Sequence, residues 1–168
     1  TPARLDGATR YQTSFMIADA LKDTLGVDAF DNIIVAYGGN YPDALSGGYL
    51  AKVKNAPVII VDKKTTSEND VVKYIQNNLK EDGTVYILGD VGVVTKRFEK
   101  AVKSFASVER IAGATRYATN IEILKAAKVT DEELIICTGN GYADSLSASA
   151  TGKPILLVGK SLTTNQKN

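Results

Sequence analysis

Histidine and tryptophan are absent from the 168 residues, and cysteine and methionine occur once each. Without histidine, the commonest general base and the commonest metal ligand are both missing. A lone cysteine excludes a disulfide framework or a cysteine-rich zinc site within the chain. Cys137 sits in Leu134-Ile135-Ile136-Cys137-Thr138, which reads as a buried strand with the thiol as a small core hydrophobe. An excess of charge of one sign is also missing: 20 Lys and Arg face 19 Asp and Glu, for a net charge of +1. That balance argues against a dedicated nucleic-acid binder but leaves room for a local basic patch suited to an anionic polymer. No apolar run approaches the ~18 residues of a membrane span, so no membrane insertion is expected. The start, Thr1-Pro2-Ala3-Arg4, has no leader-peptide pattern and is expected to belong to a mature segment or to a piece of a longer chain. Gly38-Gly39 and Gly89-Asp90-Val91-Gly92 fit neither dinucleotide nor P-loop spacing. They are expected to be tight strand-to-helix turns, and no cofactor or metal is expected.

What the chain does have is a copy of itself. Arg4-Leu5-Asp6-Gly7-Ala8-Thr9-Arg10-Tyr11-Gln12-Thr13 returns as Arg110-Ile111-Ala112-Gly113-Ala114-Thr115-Arg116-Tyr117-Ala118-Thr119. Further on, Ile33-Ile34-Val35-Ala36-Tyr37-Gly38 is answered by Leu134-Ile135-Ile136-Cys137-Thr138-Gly139. Asn40-Tyr41-Pro42-Asp43-Ala44-Leu45-Ser46 is answered by Gly141-Tyr142-Ala143-Asp144-Ser145-Leu146-Ser147, and Pro57-Val58-Ile59-Ile60-Val61 by Pro154-Ile155-Leu156-Leu157-Val158. The first copy continues through Thr84-Val85-Tyr86-Ile87-Leu88-Gly89 and a further helix, whereas the second reaches Asn168 without a counterpart. Two units are therefore expected, a nearly complete repeat at 1–106 and a truncated one at 107–168. No Gly/Ser-rich or Pro-rich linker lies between them, so they should pack closely.

Local patterning alternates strands and helices. Thr9 should start a helix that Gly26 stops, with Gln12 at capping-box spacing. Strands are predicted at 33–37, 57–61, 84–88 and 107–111, with helices over 43–54 and 95–105. Ser67-Glu68-Asn69-Asp70 reads as a second capping box opening a helix to about Leu79. Each repeat should begin with a strand ending at Arg4-Leu5 or Arg110-Ile111. Such alternation implies an α/β fold: a doubly wound, Rossmann-like parallel sheet module, repeated in tandem.

The repeated residues resemble the cell wall binding repeat 2 family of clostridial surface-layer-associated proteins and autolysins. The resemblance rests on Arg-Leu-x-Gly-x-x-Arg-Tyr, Gly-x-Asn-Tyr-Pro-Asp-Ala-Leu-Ser, Ala-Pro-Val-Ile-Ile-Val and Val-Tyr-Ile-Leu-Gly. It implies a module used in threes, in a three-fold or pseudo-three-fold arrangement. It also implies a secreted parent protein held non-covalently on an anionic polysaccharide or teichoic-acid-like polymer of the Gram-positive wall. An amidase, protease or adhesin domain would lie elsewhere in that parent. Asp90 departs from the pattern, standing where a second glycine often follows Gly89.

Candidate polymer contacts follow from the repeat. Arg4 and Arg10, copied as Arg110 and Arg116, flank a glycine turn at a helix start, where guanidinium forks and free N–H groups suit phosphate or carboxylate. The alternative is that one arginine of each pair is internal, bound to Asp43 or Asp144. Those aspartates are expected to cap helices, and Gly7 and Gly113 to shape the turns. Asn40 and Asn140 could donate to sugar hydroxyls, while Lys63, Lys64 and Lys160 could complete a cationic groove or lie on a solvated surface. Ser46 and Ser147 recur, but without histidine no ordinary catalytic triad can form. Large aromatic platforms are disfavoured by the missing tryptophan. Tyr11, Tyr41, Tyr117 and Tyr142 recur and could stack, with Tyr11 and Tyr117 expected to pack inward. Three readings compete: a non-catalytic wall anchor, an enzyme such as a wall hydrolase, and a self-assembling module. In the last, strand Ile155–Val158 would lack full cover and invite association.

Overall fold

The computed structural model describes residues 4–130 and 133–167. The opening Thr1-Pro2-Ala3 and the final Asn168 lie outside the described residues. In chain order the elements are α1 (Arg10–Leu25), β1 (Phe30–Tyr37), α2 (Pro42–Lys54), β2 (Val58–Val61), α3 (Thr65–Asn78), β3 (Leu79–Leu88) and α4 (Lys96–Lys103). They continue with β4 (Ser107–Ile111), α5 (Arg116–Ala126), β5 (Ile135–Thr138), α6 (Ala143–Ser149), β6 (Ile155–Val158) and α7 (Thr164–Lys167).

The two copied helices begin in the same way. The Thr9 hydroxyl accepts the Gln12 N–H, and the Thr115 hydroxyl accepts the Ala118 N–H, so each helix has a side-chain N-cap. Gly26 closes α1 in the left-handed region at φ 66°. The predicted Ser67 capping box is not the start of α3. That helix begins at Thr65 with Lys64 as an N-cap that offers no side-chain bond. Asp62 is the reason: its carboxylate accepts the Lys64 N–H and its own N–H donates to the Ser67 hydroxyl, which draws Ser67 into the first turn.

The strands form a four-stranded parallel sheet in the order β2-β1-β3-β4 and a two-stranded parallel sheet, β5-β6. Alternate side chains of β1 divide the first core. Ile33 and Val35 face the side covered by α1, α3 and α4, with Val71, Ile75, Phe98 and Val102. Ile34 and Ala36 face the other side, with Leu50 of α2 and Ile123 of α5. Both faces are covered, as a continuous apolar strand requires. Two elements beyond residue 106 thus complete the first sheet: the edge strand β4 and the covering helix α5.

Helix α5 also lies on β6, much as α1 lies on β2. Its Asn120 is fully buried and joins the repeats: the amide nitrogen donates to the Ser46 hydroxyl and the Ile155 carbonyl, and the amide oxygen accepts the Leu157 N–H. Its copy, Ser14, makes the matching contact within the first repeat by accepting the Ile60 N–H. The expected lack of cover over Ile155–Val158 is not observed: α2, α5 and α6 all pack against β6, and Ile155, Leu156 and Leu157 are buried. Exposed apolar side chains around the second sheet include Ile136 on β5 and Leu146 on α6, at 64% and 53%. Of the two expected leading strands, β4 is formed, with β3 as its hydrogen-bonded neighbour. The other, ending at Arg4-Leu5, lies mostly outside the described residues, and Arg4 and Leu5 themselves are not in a strand.

Candidate functional site

All strands of the first sheet are parallel, so their C-terminal ends and the helix starts that follow them gather on one side, where open α/β sheets take ligands. The glycine turns are shaped identically in both repeats. A Cβ on Gly7 would stand 2.5 Å from the Gln12 Cβ, and one on Gly113 2.5 Å from the Ala118 Cβ. Each glycine N–H donates to a threonine hydroxyl on the next helical turn, Thr13 or Thr119, at 3.0 Å. Tyr11 and Tyr117 lean on the strand-end glycines: a Cβ on Gly38 or Gly139 would collide with the ring at 2.7 and 2.4 Å. The recurring Gly-Ala-Thr-Arg-Tyr thus specifies a turn pressed onto a helix and a ring pressed onto a strand end.

That packing fixes the second arginine of each pair. The Arg10 Nη1 donates to the Gly38 carbonyl at 3.0 Å, and the Arg116 Nη1 donates to the Gly139 carbonyl at 2.6 Å. Arg116 also reaches the Tyr41 hydroxyl across the repeat boundary at 3.5 Å. Backbone carbonyls hold these guanidinium groups, not the carboxylates of Asp43 or Asp144. The first arginines behave differently. Arg4 is 85% exposed and paired with Asp6. Arg110 is turned inward, with Glu99 accepting from its Nε and Nη2, and the Gly89 and Val94 carbonyls accepting from Nη1 and Nη2. All three of its nitrogens are engaged in the first repeat.

Arg10, Asn40, Tyr37, Tyr41 and Tyr142 line one cleft of ≈ 450 Å³. Arg116, Asp43, Asp90 and the Gly113–Thr115 turn line a second, which shares Tyr37 and Asn40 with the first. Lys63 lines neither cleft but places its Nζ 5.3 Å from the centroid of the Tyr37 ring. Asn40 uses its amide oxygen to accept the Tyr41 N–H. The remaining sequence candidates stand elsewhere. Lys64 lines a neighbouring depression with Thr9 and Asp62, Asn140 accepts the Tyr117 hydroxyl proton, and Lys160 is exposed beyond β6.

Asp43 lies in the first turn of α2 beside Gly89, whose φ of 96° and missing side chain make room for the carboxylate. A Cβ there would come within 2.7 Å of the Asp43 Oδ2. Burial pushes the Asp43 carboxyl above its ordinary range; the Asp90 charge adds to this and Arg116 partly offsets it. Asp144, its copy, is exposed. The Cys137 thiol is buried and pushed up by that burial, so it behaves as a core side chain. Among the described residues no three His, Cys, Asp or Glu side chains gather as a metal site, and no helix is long and apolar enough to cross a membrane. Sequence reasoning missed Asp90, Tyr37, Asn120 and the paired hydroxyls of Thr13 and Thr119. The threonines carried a signal by recurring with the motif, and Asp90 carried one by departing from the family pattern after Gly89.

The surroundings match known proteins along nearly the whole chain. The profile of cell wall binding domain 2 (CWB2) fits residues 4–99 and again 110–168. N-acetylmuramoyl-L-alanine amidase LytC of Bacillus subtilis (strain 168) is 32% identical over 165 residues, covering 94% of this chain and 31% of that protein. An amidase enhancer of the same organism is 28% identical over 143 residues, covering 85% of this chain and 18% of that protein. Among solved structures, Cwp8 from Clostridium difficile superposes with a TM-score of 0.81 at 28% identity, over 97% of this chain and 28% of that one. Cwp6 from the same organism superposes with a TM-score of 0.69 at 27% identity, over 92% of this chain and 24% of that one. The chain spans less than a third of each of these proteins. With the profile matched twice and the two turns built alike, the chain belongs to the cell wall binding domain 2 family and is a tandem cell-wall-binding module.

Proposed function

We propose that this module holds a larger, secreted surface protein on the Gram-positive wall by gripping an anionic polysaccharide or teichoic-acid-like polymer, without catalysing a reaction itself. The observation that carries the reading is the twin placement of Arg10 and Arg116. Each is tethered through one Nη to a strand-end carbonyl and presents the rest of its fork at the joined clefts. A guanidinium pre-positioned in this way loses little freedom on meeting a phosphate or carboxylate. Asn40 supplements it from within the clefts and Lys63 from beside Tyr37, while Arg4, Arg110, Lys64, Asn140 and Lys160 stand apart from them. The absence of histidine favours holding over acid–base chemistry. Because relatives include an amidase and an amidase enhancer, a peptidoglycan hydrolase is one fitting parent, with its catalytic domain outside this chain.

Like modules are the second proposed partner, in a three-fold arrangement. The contact between repeats is heterologous, α5 of one lying on α2 of the other, and such contacts can close into rings. Ile123 is fully buried in that contact, whereas its copy Ile17 on α1 is 52% exposed and open to a further module or a second chain. A strictly monomeric chain in sedimentation velocity at high concentration would remove the self-association part.

The electrostatic grip is tested by depletion binding to protein-free Gram-positive walls. Arg10→Ala and Arg116→Ala should each weaken binding about tenfold or more, as losing a charge-assisted contact does. Affinity should also fall as salt rises. Undiminished binding by the double variant, or equal binding to walls stripped of anionic polymer, would refute it.

A further inference from the structure

The cleft holds an aromatic feature that the charge-based reading leaves unused. Tyr142 is 58% exposed at the start of α6, and its side chain caps no helix. It reaches across the repeat boundary to line the cleft beside Arg10 and Asn40. There it meets its own copy, Tyr41, with ring centroids 5.7 Å apart and planes tilted by 59°. Tyr41 is steadied by the Arg116 contact to its hydroxyl and by Asn40 on its backbone. A large aromatic ring left in water gains little for folding, yet it presents an electron-rich face suited to the polarised C–H bonds of a sugar ring. Next to it stand donors for an anion and the Asn40 amide nitrogen for a hydroxyl.

We propose that Tyr41 and Tyr142 form one composite aromatic subsite for the face of an uncharged pyranose. The preferred ligand is then a glycan in which a neutral sugar directly neighbours the anionic group held by Arg10. Both repeats contribute to this subsite, so neither repeat alone contains it. The inference rests on the polymer-binding reading above and narrows it to a class of polymer: a sugar chain carrying charge, not a bare polyanion.

The test uses the full chain, protein-free Gram-positive walls and depletion isotherms at several salt concentrations. Tyr142→Ala and Tyr142→Leu should each weaken binding about tenfold at every salt concentration, without altering the slope of affinity against salt. Tyr142→Phe, which keeps the ring, should retain parental binding. Leucine keeps the apolar bulk but not the ring face, so equal behaviour of the Leu and Phe variants overturns the proposal, as does undiminished binding by the Ala variant. A change in salt slope matching that of Arg10→Ala also overturns it, because Tyr142 would then be acting through charge. If instead the arginine variants leave the slope unchanged while the Leu–Phe difference persists, the electrostatic grip fails and the aromatic subsite stands.

Discussion

Arginines that look interchangeable in the sequence divide by what surrounds them. Arg110 and Arg116 sit six residues apart around one glycine turn. One is bound inward to Glu99 and two carbonyls, and the other is tied by a single Nη at a cleft. Removing Arg110 takes this donor from the Gly89 and Val94 carbonyls and leaves Glu99 with Lys103 alone, in a site where both charged side chains of the clasp are about 15% exposed. Arg110→Ala should therefore cost about 1.5–3 kcal/mol of stability in urea unfolding, the range for losing hydrogen bonds to a charged group. Arg4→Ala, at the copied but exposed position, should change stability by less than about 0.5 kcal/mol. Equal effects would mean that the clasp contributes nothing. The motif revealed that these arginines matter as a pair; it did not reveal which is internal. That depends on α4 supplying Glu99, and nothing near Arg110 in sequence encodes it.

At the scale of elements, three helix starts were legible from the threonine that precedes each. Thr9, Thr95 and Thr115 all accept the N–H three residues on. The exception is α3, where Ser67 has the right spacing but Asp62 claims its hydroxyl from the loop side. A cap read from spacing competes with any other side chain that can organise the same turn. As a result Lys64 occupies the N-cap with φ −77° and ψ 135°, a conformation that suits a capping side chain it does not have. Lys64→Ser should stabilise the fold by about 0.5–1 kcal/mol through a new bond to the first turn of α3. Thermal and urea unfolding would show it, and a neutral or negative change would mean that Asp62 already satisfies this helix start. The strand cores were likewise readable as short apolar runs. Which sheet β4 joins was not, because pairing with β3 is a long-range choice that five residues cannot specify.

At the scale of the molecule, the boundary between repeats is where burial and charge act together. Asp43 belongs to the first repeat and Arg116 to the second, and the raised Asp43 carboxyl reports that burial and Asp90 outweigh the attraction of Arg116. A helix start ordinarily favours a carboxylate, so desolvation has overcome the dipole here. The sign of the pH effect follows. A carboxyl raised in the folded state binds its proton more tightly there than in the unfolded chain. Its stabilising contribution is full below the unfolded value of about 3.9 and is lost as pH rises through the folded value. Glu99 works in the opposite sense: hydrogen bonds from Lys103 and Arg110 hold it low, so its contribution is present above its unfolded value and is lost as pH falls. Acid therefore weakens the Arg110 clasp while relieving the repeat boundary. Asp43→Asn removes only the second of these effects. The variant should gain stability over the parent as pH rises from about 3 to 7, with the two converging in acid where the parental carboxyl is already protonated. Urea midpoints at both ends of that range decide it. A difference that is constant with pH would mean that the carboxylate at the junction is ionised without penalty, and that Arg116 compensates it fully.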